Sequence, residues 1–291
     1  MVQFSELNLD DIGQKVEIYG PPKTGKTLLA GLVAEHFKTT WLDLEHGYLT
    51  LKQLPKKSQE NINLIRIPDD RTNFQAMKAM LYLTDGKPTL ICDLHGTIGA
   101  ICMKCKALPA ERRGTIQTID IESSSKEELF VMDSMTQLSV SAMGYAFKGK
   151  QMMGNLSDAT IGKQEFSHYT IQGFMLDKVL TAIQQSQANW IVISHEESLP
   201  QEDGSEKIVP MAGTRNFSKN SARYFDHCVR TSVFNGRYDR NSNALNDPRV
   251  LSGSRTGIDM RKDTTLGIVD LLRSVNGSDE EKAATKNLGI K

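Results

Sequence analysis

Gly20-Pro21-Pro22-Lys23-Thr24-Gly25-Lys26-Thr27 fits the phosphate-binding pattern G-x-x-x-x-G-K-[ST] at every fixed position. Val16-Glu17-Ile18-Tyr19 reads as a short buried strand before it, and Leu28, Leu29, Leu32, Val33 and Phe37 recur at helical spacing after it. The order strand, loop, helix is the one the motif needs. Its glycines let successive backbone N–H groups turn toward one anion, and the helix N-terminus adds partial positive charge. In that geometry Lys26 reaches the β- and γ-phosphates of ATP while the Thr27 hydroxyl ligands Mg²⁺. Gly20 through Thr27 are therefore the predicted nucleotide-binding residues.

The 291 residues are enough for one large α/β domain with embellishments or for two small domains. With 39% hydrophobic and 24% charged residues, the composition is that of a soluble globular protein, and no segment is long and apolar enough to cross a bilayer. Met1 to Glu6 lack the basic and apolar regions of a signal peptide, so a cytoplasmic protein with no membrane partner is expected. Lys plus Arg and Asp plus Glu each number 35, so any nucleic-acid contact must rest on local patches.

Further along, Thr39 to Glu45 reads as a second strand whose end carries Asp43 and Glu45, and spacing alone does not choose between these acids. Asn61 to Ile67 alternates as a third strand, and Thr72 to Leu83 reads as an amphipathic helix. Leu129 to Met132 is an apolar run ending in Asp133, the form of a second nucleotide-binding motif in which the aspartate holds a water of the Mg²⁺ shell. Phe166 to Gln185 reads as a long helix with Tyr169, Phe174, Met175, Leu176, Val179, Leu180 and Ile183 on its apolar side, leading into the strand Trp190 to His195. Ala222 to Phe234 reads as a strand, Arg237 to Asp247 as a polar hairpin, and Leu266 to Leu272 as a helix before a polar tail.

Between Lys87 and Ser125 the pattern is interrupted by Cys92-x2-His95-x6-Cys102-x2-Cys105. Two x2 pairs facing one another supply a closed Cys3His set suited to structural Zn²⁺. An incidental or redox CxxC pair and unpaired buried thiols are the other readings of the same spacing. Arg112-Arg113-Gly114 and the alternating run Thr115 to Glu122 are expected to close the module as a hairpin.

Trp41-Leu42-Asp43-Leu44-Glu45-His46-Gly47, after a phosphate loop and one helix, resembles the segment of RecA-like recombinases in which a glutamate polarises the attacking water. Matched position by position, that role falls on Glu45. Asp133-Ser134 with Met135-Thr136-Gln137-Leu138 is again similar to this family, and the loop together with Ser194-His195-Glu196-Glu197 looks like short phage-encoded ATPases linked to recombination and single-strand annealing. The resemblance covers roughly residues 15 to 262 without the cysteine insert and implies a RecA-like P-loop core of mostly parallel sheet; the chain then divides into that core over 1–86 and 126–262, the zinc module read from spacing at 87–125, and a C-terminal helix and tail at 263–291.

It also implies roles. His195 would sense the γ-phosphate and pass its state to the following loop; a strand-end histidine satisfied by a backbone group is the plainer reading. Tyr145 to Gly162 and Glu196 to Gly213 would be mobile DNA-binding loops, with Lys148, Lys150 and Lys163 in or beside the first and Arg215 and Lys219 following the second to contact single-stranded DNA. Arg255 would act as an arginine finger on a neighbouring subunit's ATP, with Arg249 and Arg261 as substitutes. The function implied is an ATP-hydrolysing, single-strand-binding recombinase or annealing protein, assembling as a filament or ring and meeting a single-strand-binding protein. A ring helicase or loader, a non-hydrolysing nucleotide-gated clamp and a small-molecule kinase share the same loop.

Overall fold

The computed structural model describes residues 13–70, 73–153, 165–235, 237–242, 247–255 and 264–274. Lys163, Arg261 and the predicted polar tail lie outside them. β1 (Lys15–Tyr19) enters the phosphate loop and α1 (Lys26–Val33), followed by β2 (Lys38–Asp43), α2 (Lys56–Asn61), β3 (Ile62–Arg66) and α3 (Gln75–Leu83). A small module contains β4 (Thr89–Cys92), α4 (Met103–Lys106) and β5 (Ile116–Ile119). Then come β6 (Glu128–Asp133), α5 (Met135–Met153), α6 (Phe166–Gln185), β7 (Asn189–Ser194), β8 (Glu196–Pro200), β9 (Glu206–Pro210) and α7 (Arg215–Asn220). The last elements are β10 (His227–Phe234), β11 (Arg237–Asn241), β12 (Gly253–Ser254) and α8 (Thr264–Ser274).

The main sheet has the order β11-β10-β1-β7-β6-β2-β3, with β12 also paired to β10. From β10 to β3 every neighbouring pair is parallel, whereas β11 and β12 run antiparallel to β10. The expected mostly parallel sheet flanked by helices is what the chain forms. β7 and β6 separate β1 from β2, so four strand ends converge at one edge.

A parallel sheet covered on both faces needs near-continuous apolar strands, which explains why Leu129 to Met132 and Trp190 to Ile193 show no polar alternation. Phe130, Met132, Trp190 and Val192 face one layer with α3, α5 and α6, while Leu129, Val131, Ile191 and Ile193 face the other with α1 and α8. Trp190 stacks on Phe130 with ring centroids 4.9 Å apart, and its indole N–H donates to Ser186 Oγ.

Four local expectations are corrected. Tyr145 to Met153 are not a loop: α5 continues to Met153 because Leu138, Ala142 and Ala146, spaced four apart, are buried on one face, and Phe147 stacks on His168 at 4.1 Å, while the rest of the expected loop, 154–162, lies outside the described residues. Glu196 to Gly213 is largely the hairpin of β8 and β9, with Leu199 and Val209 buried and a turn closed by Gln201 N donating to Ser205 O. β5 forms no hairpin of its own; it pairs antiparallel with β4, and likewise β11 turns back onto β10. On α6 the packed stripe runs through Gln172, Met175, Leu176, Val179, Leu180 and Ile183, leaving Phe174 exposed at 70%. Among the described residues no helix is long and apolar enough to cross a membrane.

Among the ionisable side chains buried in this sheet are Lys15 and Glu17 of β1. Lys15 Nζ donates to the carbonyls of Gly13, Ser186 and Ala188 at 2.6, 2.8 and 2.9 Å. Glu17, fully buried on β1, accepts from Ser194 Oγ at 3.3 Å and Cys228 Sγ at 3.7 Å. Burial pushes the Glu17 carboxyl up to about 8, against the pull of those two hydrogen bonds. The native state therefore holds a proton that the unfolded chain gives up near its ordinary pKa of about 4.3, and the contribution to stability is lost as pH rises through that window. Glu17→Gln should gain in urea midpoint over wild type as pH is raised from about 5 to about 8; a difference independent of pH would show that this carboxyl does not titrate on folding.

Candidate functional site

The phosphate loop is shaped by contacts from a strand more than two hundred positions away. Gly20 has φ 151° and lies so close to β10 that a Cβ there would meet Thr231 O at 2.1 Å. Only glycine fits. Thr24 Oγ1 lies 2.8 Å from Pro21 O and 2.7 Å from Thr231 Oγ1, which is 3.2 Å from Tyr19 O, so two hydroxyls bridge a carbonyl of the loop to the last carbonyl of β1. Gly25, at φ 82°, ends the loop and caps α1, whose first turn closes with Leu29 N on Gly25 O. The Tyr238 ring from β11 sits against Gly25. Lys26 Nζ donates to Gly20 O and Pro21 O at 2.9 and 2.7 Å, and burial lowers its pKa.

Opposite the loop stand three carboxylates from neighbouring strand ends. Asp43 and Asp133 are paired in register across β2 and β6. Thr27 Oγ1 donates to Asp133 Oδ2 at 3.0 Å, and Gly47 N donates to Asp43 Oδ1 at 2.8 Å. Burial, reinforced by the charge of Asp43, pushes the Asp133 carboxyl up to about 7. The buried Asp43 Oδ2 has no protein partner. Hard oxygen donors of this kind, a hydroxyl and a carboxylate beside a phosphate loop, fit Mg²⁺.

Glu45 lies two residues beyond β2. His195 Nε2 is 2.9 Å from Glu45 Oε1, and the Ser134 hydroxyl donates to the other oxygen. The hydrogen bond from His195 holds the Glu45 carboxyl below the usual range despite partial burial, so it is ionised at neutral pH. His195 is itself fixed by its backbone N donating to Thr136 Oγ1 at 2.9 Å. Lys26, Thr27, Glu45, Asp133, His195 and Tyr238 all line one cleft of about 400 Å³.

The other predicted residues are placed elsewhere. Arg255 pairs with Asp226 at 3.1 Å, and Asp226 N donates to Lys15 O, so Arg255 stands at the opposite end of the sheet from its own phosphate loop. Lys148 is exposed on α5, which also carries Lys150, rather than on a loop. Arg215 and Lys219 are exposed on α7, beyond the β8–β9 hairpin.

Cys92, His95, Cys102 and Cys105 do converge: their ligand atoms all lie within 4.8 Å of one another. Cys105 Sγ is 3.5 Å from Cys92 Sγ, and His95 Nδ1 is 3.8, 3.5 and 3.3 Å from Cys92, Cys102 and Cys105 Sγ. Zinc with bonds of about 2.3 Å to sulfur spans a tetrahedron whose edges are about 3.7 Å, so donors and spacing fit a closed zinc site. Gly114 N donates to Cys105 Sγ at 3.3 Å, the kind of outer contact that orients a thiolate ligand.

Sequence reasoning missed Thr231, Tyr238, and the ion pair in which Arg230 Nε donates to Glu196 Oε2 at 2.8 Å. No local pattern marks them; strand pairing alone brings β10 and β11 to the loop. Ser134 stood in the Asp133-Ser134 pair, and its contact with Glu45 was the part not read.

A family model described as "AAA domain" matches residues 12–256. Among curated proteins no sequence matches. A solved structure of a prototypical ATPase from the type III secretion system of pathogenic bacteria is similar at TM-score 0.44 and 14% identity, covering 89% of this chain. The chain spans 62% of that structure's length.

Thr231→Val keeps the shape of the strand and removes the hydroxyl that steadies the loop. With about 1 kcal/mol lost from one hydrogen bond, the Kd for ATP should rise about fivefold in titrations with a fluorescent ATP analogue; an unchanged Kd would show that the bridge does not shape the loop.

Proposed function

This chain belongs to the AAA-domain family, and on that premise we propose that it is a RecA-like ATPase that binds single-stranded DNA and serves recombination or strand annealing as a filament or ring. The observation that carries the ATPase part of this reading is Glu45, ionised just past the end of β2 and held between Ser134 after β6 and His195 after β7. A carboxylate at that place can orient a water for in-line attack on a γ-phosphate bound by the loop. Thr27 and Asp133 would hold Mg²⁺, which supplies charge neutralisation at the phosphates when bound. Lys26 gives a positive charge at the same end, and Tyr238 offers an aromatic face beside Gly25.

The coupling to DNA follows the chain past His195. Met211 N donates to His195 O, Thr136 Oγ1 donates to Met211 O, and Arg230 clasps Glu196, so the hairpin of β8 and β9 is tied at both feet to the residues around Glu45. Arg215 and Lys219 follow directly, and their exposed cations suit phosphates of a flexible strand. Arg255, turned away from its own cleft, suits a finger that completes a neighbour's site. Zinc would hold the module, whose Asp93 O accepts from Arg66 N at 2.7 Å, against the edge strand β3.

Lys26→Ala should abolish ATP turnover, and Glu45→Gln should lower kcat by roughly 10²- to 10⁴-fold while nucleotide binding persists. Turnover measured with and without single-stranded DNA tests the reading: stimulation is expected, and indifference of hydrolysis and of binding to DNA would overturn it. Metal analysis of the purified protein should find about one zinc per chain, and stripping it should lower the melting temperature; an equally stable metal-free protein would remove zinc from the account.

A further inference from the structure

The cysteine module presents a surface that nucleotide chemistry does not use. Cys102 and Cys105 turn inward, so the residues beside and between them are forced out: Ile101 is 58% and Met103 68% exposed, at a place where apolar side chains have no core to enter. Lys104, Lys106, Arg112 and Arg113 are exposed around them. Gly114 N, bonded to Cys105 Sγ at 3.3 Å, brings the Arg112-Arg113 pair against the knuckle that carries Lys106. Lys104 pairs with Asp70 at 3.1 Å, whereas Lys106, Arg112 and Arg113 make no ion pair among the described residues. Glu111 is the only acid from Ile101 to Gly114.

This concentration of cations stands out because the whole chain carries no net charge. Solvated lysines would serve solubility without neighbouring exposed apolar side chains; the two together match a different ligand. A single strand offers phosphates at regular intervals and bases whose faces are apolar; proteins that hold it join a basic track to side chains, most often aromatic, that cover base faces, and here Ile101 and Met103 supply the apolar contact. A folded acidic protein partner would meet the cations but gain from Ile101 and Met103 only with a complementary apolar patch.

We propose that the knuckle around Cys102 and Cys105 is a binding surface for single-stranded nucleic acid, with Lys106, Arg112 and Arg113 on phosphates and Ile101 and Met103 against bases. This rests on the DNA-binding reading above and gives it a contact separate from Arg215 and Lys219.

The test is fluorescence anisotropy of a labelled oligothymidylate with the full chain, Mg²⁺ and a non-hydrolysable ATP analogue, across salt from about 50 to about 300 mM. Joint replacement of Lys106, Arg112 and Arg113 by Gln should lower the slope of log K against log salt by about 2, since each phosphate contact on a single strand contributes about 0.7. Zinc content and DNA-free ATP turnover should stay at wild-type values, which separates lost contacts from lost folding. Glu111→Lys should act in the opposite direction and tighten binding. A triple variant whose slope and affinity equal wild type overturns the proposal while leaving the DNA-binding reading intact. So does a Glu111→Lys variant that binds no more tightly. Wild type that captures no oligothymidylate overturns both.

Discussion

Parallel backbone pairing of β1, β7, β6 and β2 is the constraint from which the site follows. Register sets Tyr19 beside Ser194 and Asp43 beside Asp133. The next residue or two of each strand therefore emerge at one edge: Gly20, His195, Ser134 and, after Leu44, Glu45. Slipping one strand by a single residue would exchange the faces of Leu129 to Met132 and bury the wrong side chains. The apolar packing that fixes register in both helical layers therefore also fixes the distances between Lys26, Glu45 and Asp133.

How much of this could be read beforehand differs between residues for a physical reason. Lys26, Thr27 and Asp133 belong to short patterns in which sequence neighbours determine geometry, and the phosphate loop, its strand and its helix were legible as a unit. The choice between Asp43 and Glu45 was not legible from spacing. It becomes visible through pairing, where Asp43 turns inward to Gly47 N while Glu45 meets His195. Thr231 and Tyr238 gave no signal, because a strand over two hundred positions away reaches the loop only when the sheet is assembled. The stretch after Tyr145 misled through its glycine and polar residues, whose local preference was overridden by tertiary packing of Leu138, Ala142 and Ala146.

The cysteine cluster was legible in identity and not in surroundings. Spacing brought four ligands together, but the pairing of β4 with β5 and the seat against β3 depend on contacts such as Gln75 Nε2 with Gly96 O and the close approach of Gly96 to Ile67. Through these the module is mechanically continuous with the strand next to β2, and so with the turn that carries Glu45.

The chain has two tryptophans, and the sheet separates them. Trp41 on β2 lies in the layer of α1 and α8, whereas Trp190 on β7 lies in the layer of α3, α5 and α6. Each indole is thus a private optical probe of one side of the molecule. Trp190, stacked on Phe130, reports the layer behind His195; Trp41, on the strand that leads to Glu45, reports the layer beneath the phosphate loop. Single-tryptophan emission would let motions on the two faces be timed independently in an unlabelled protein.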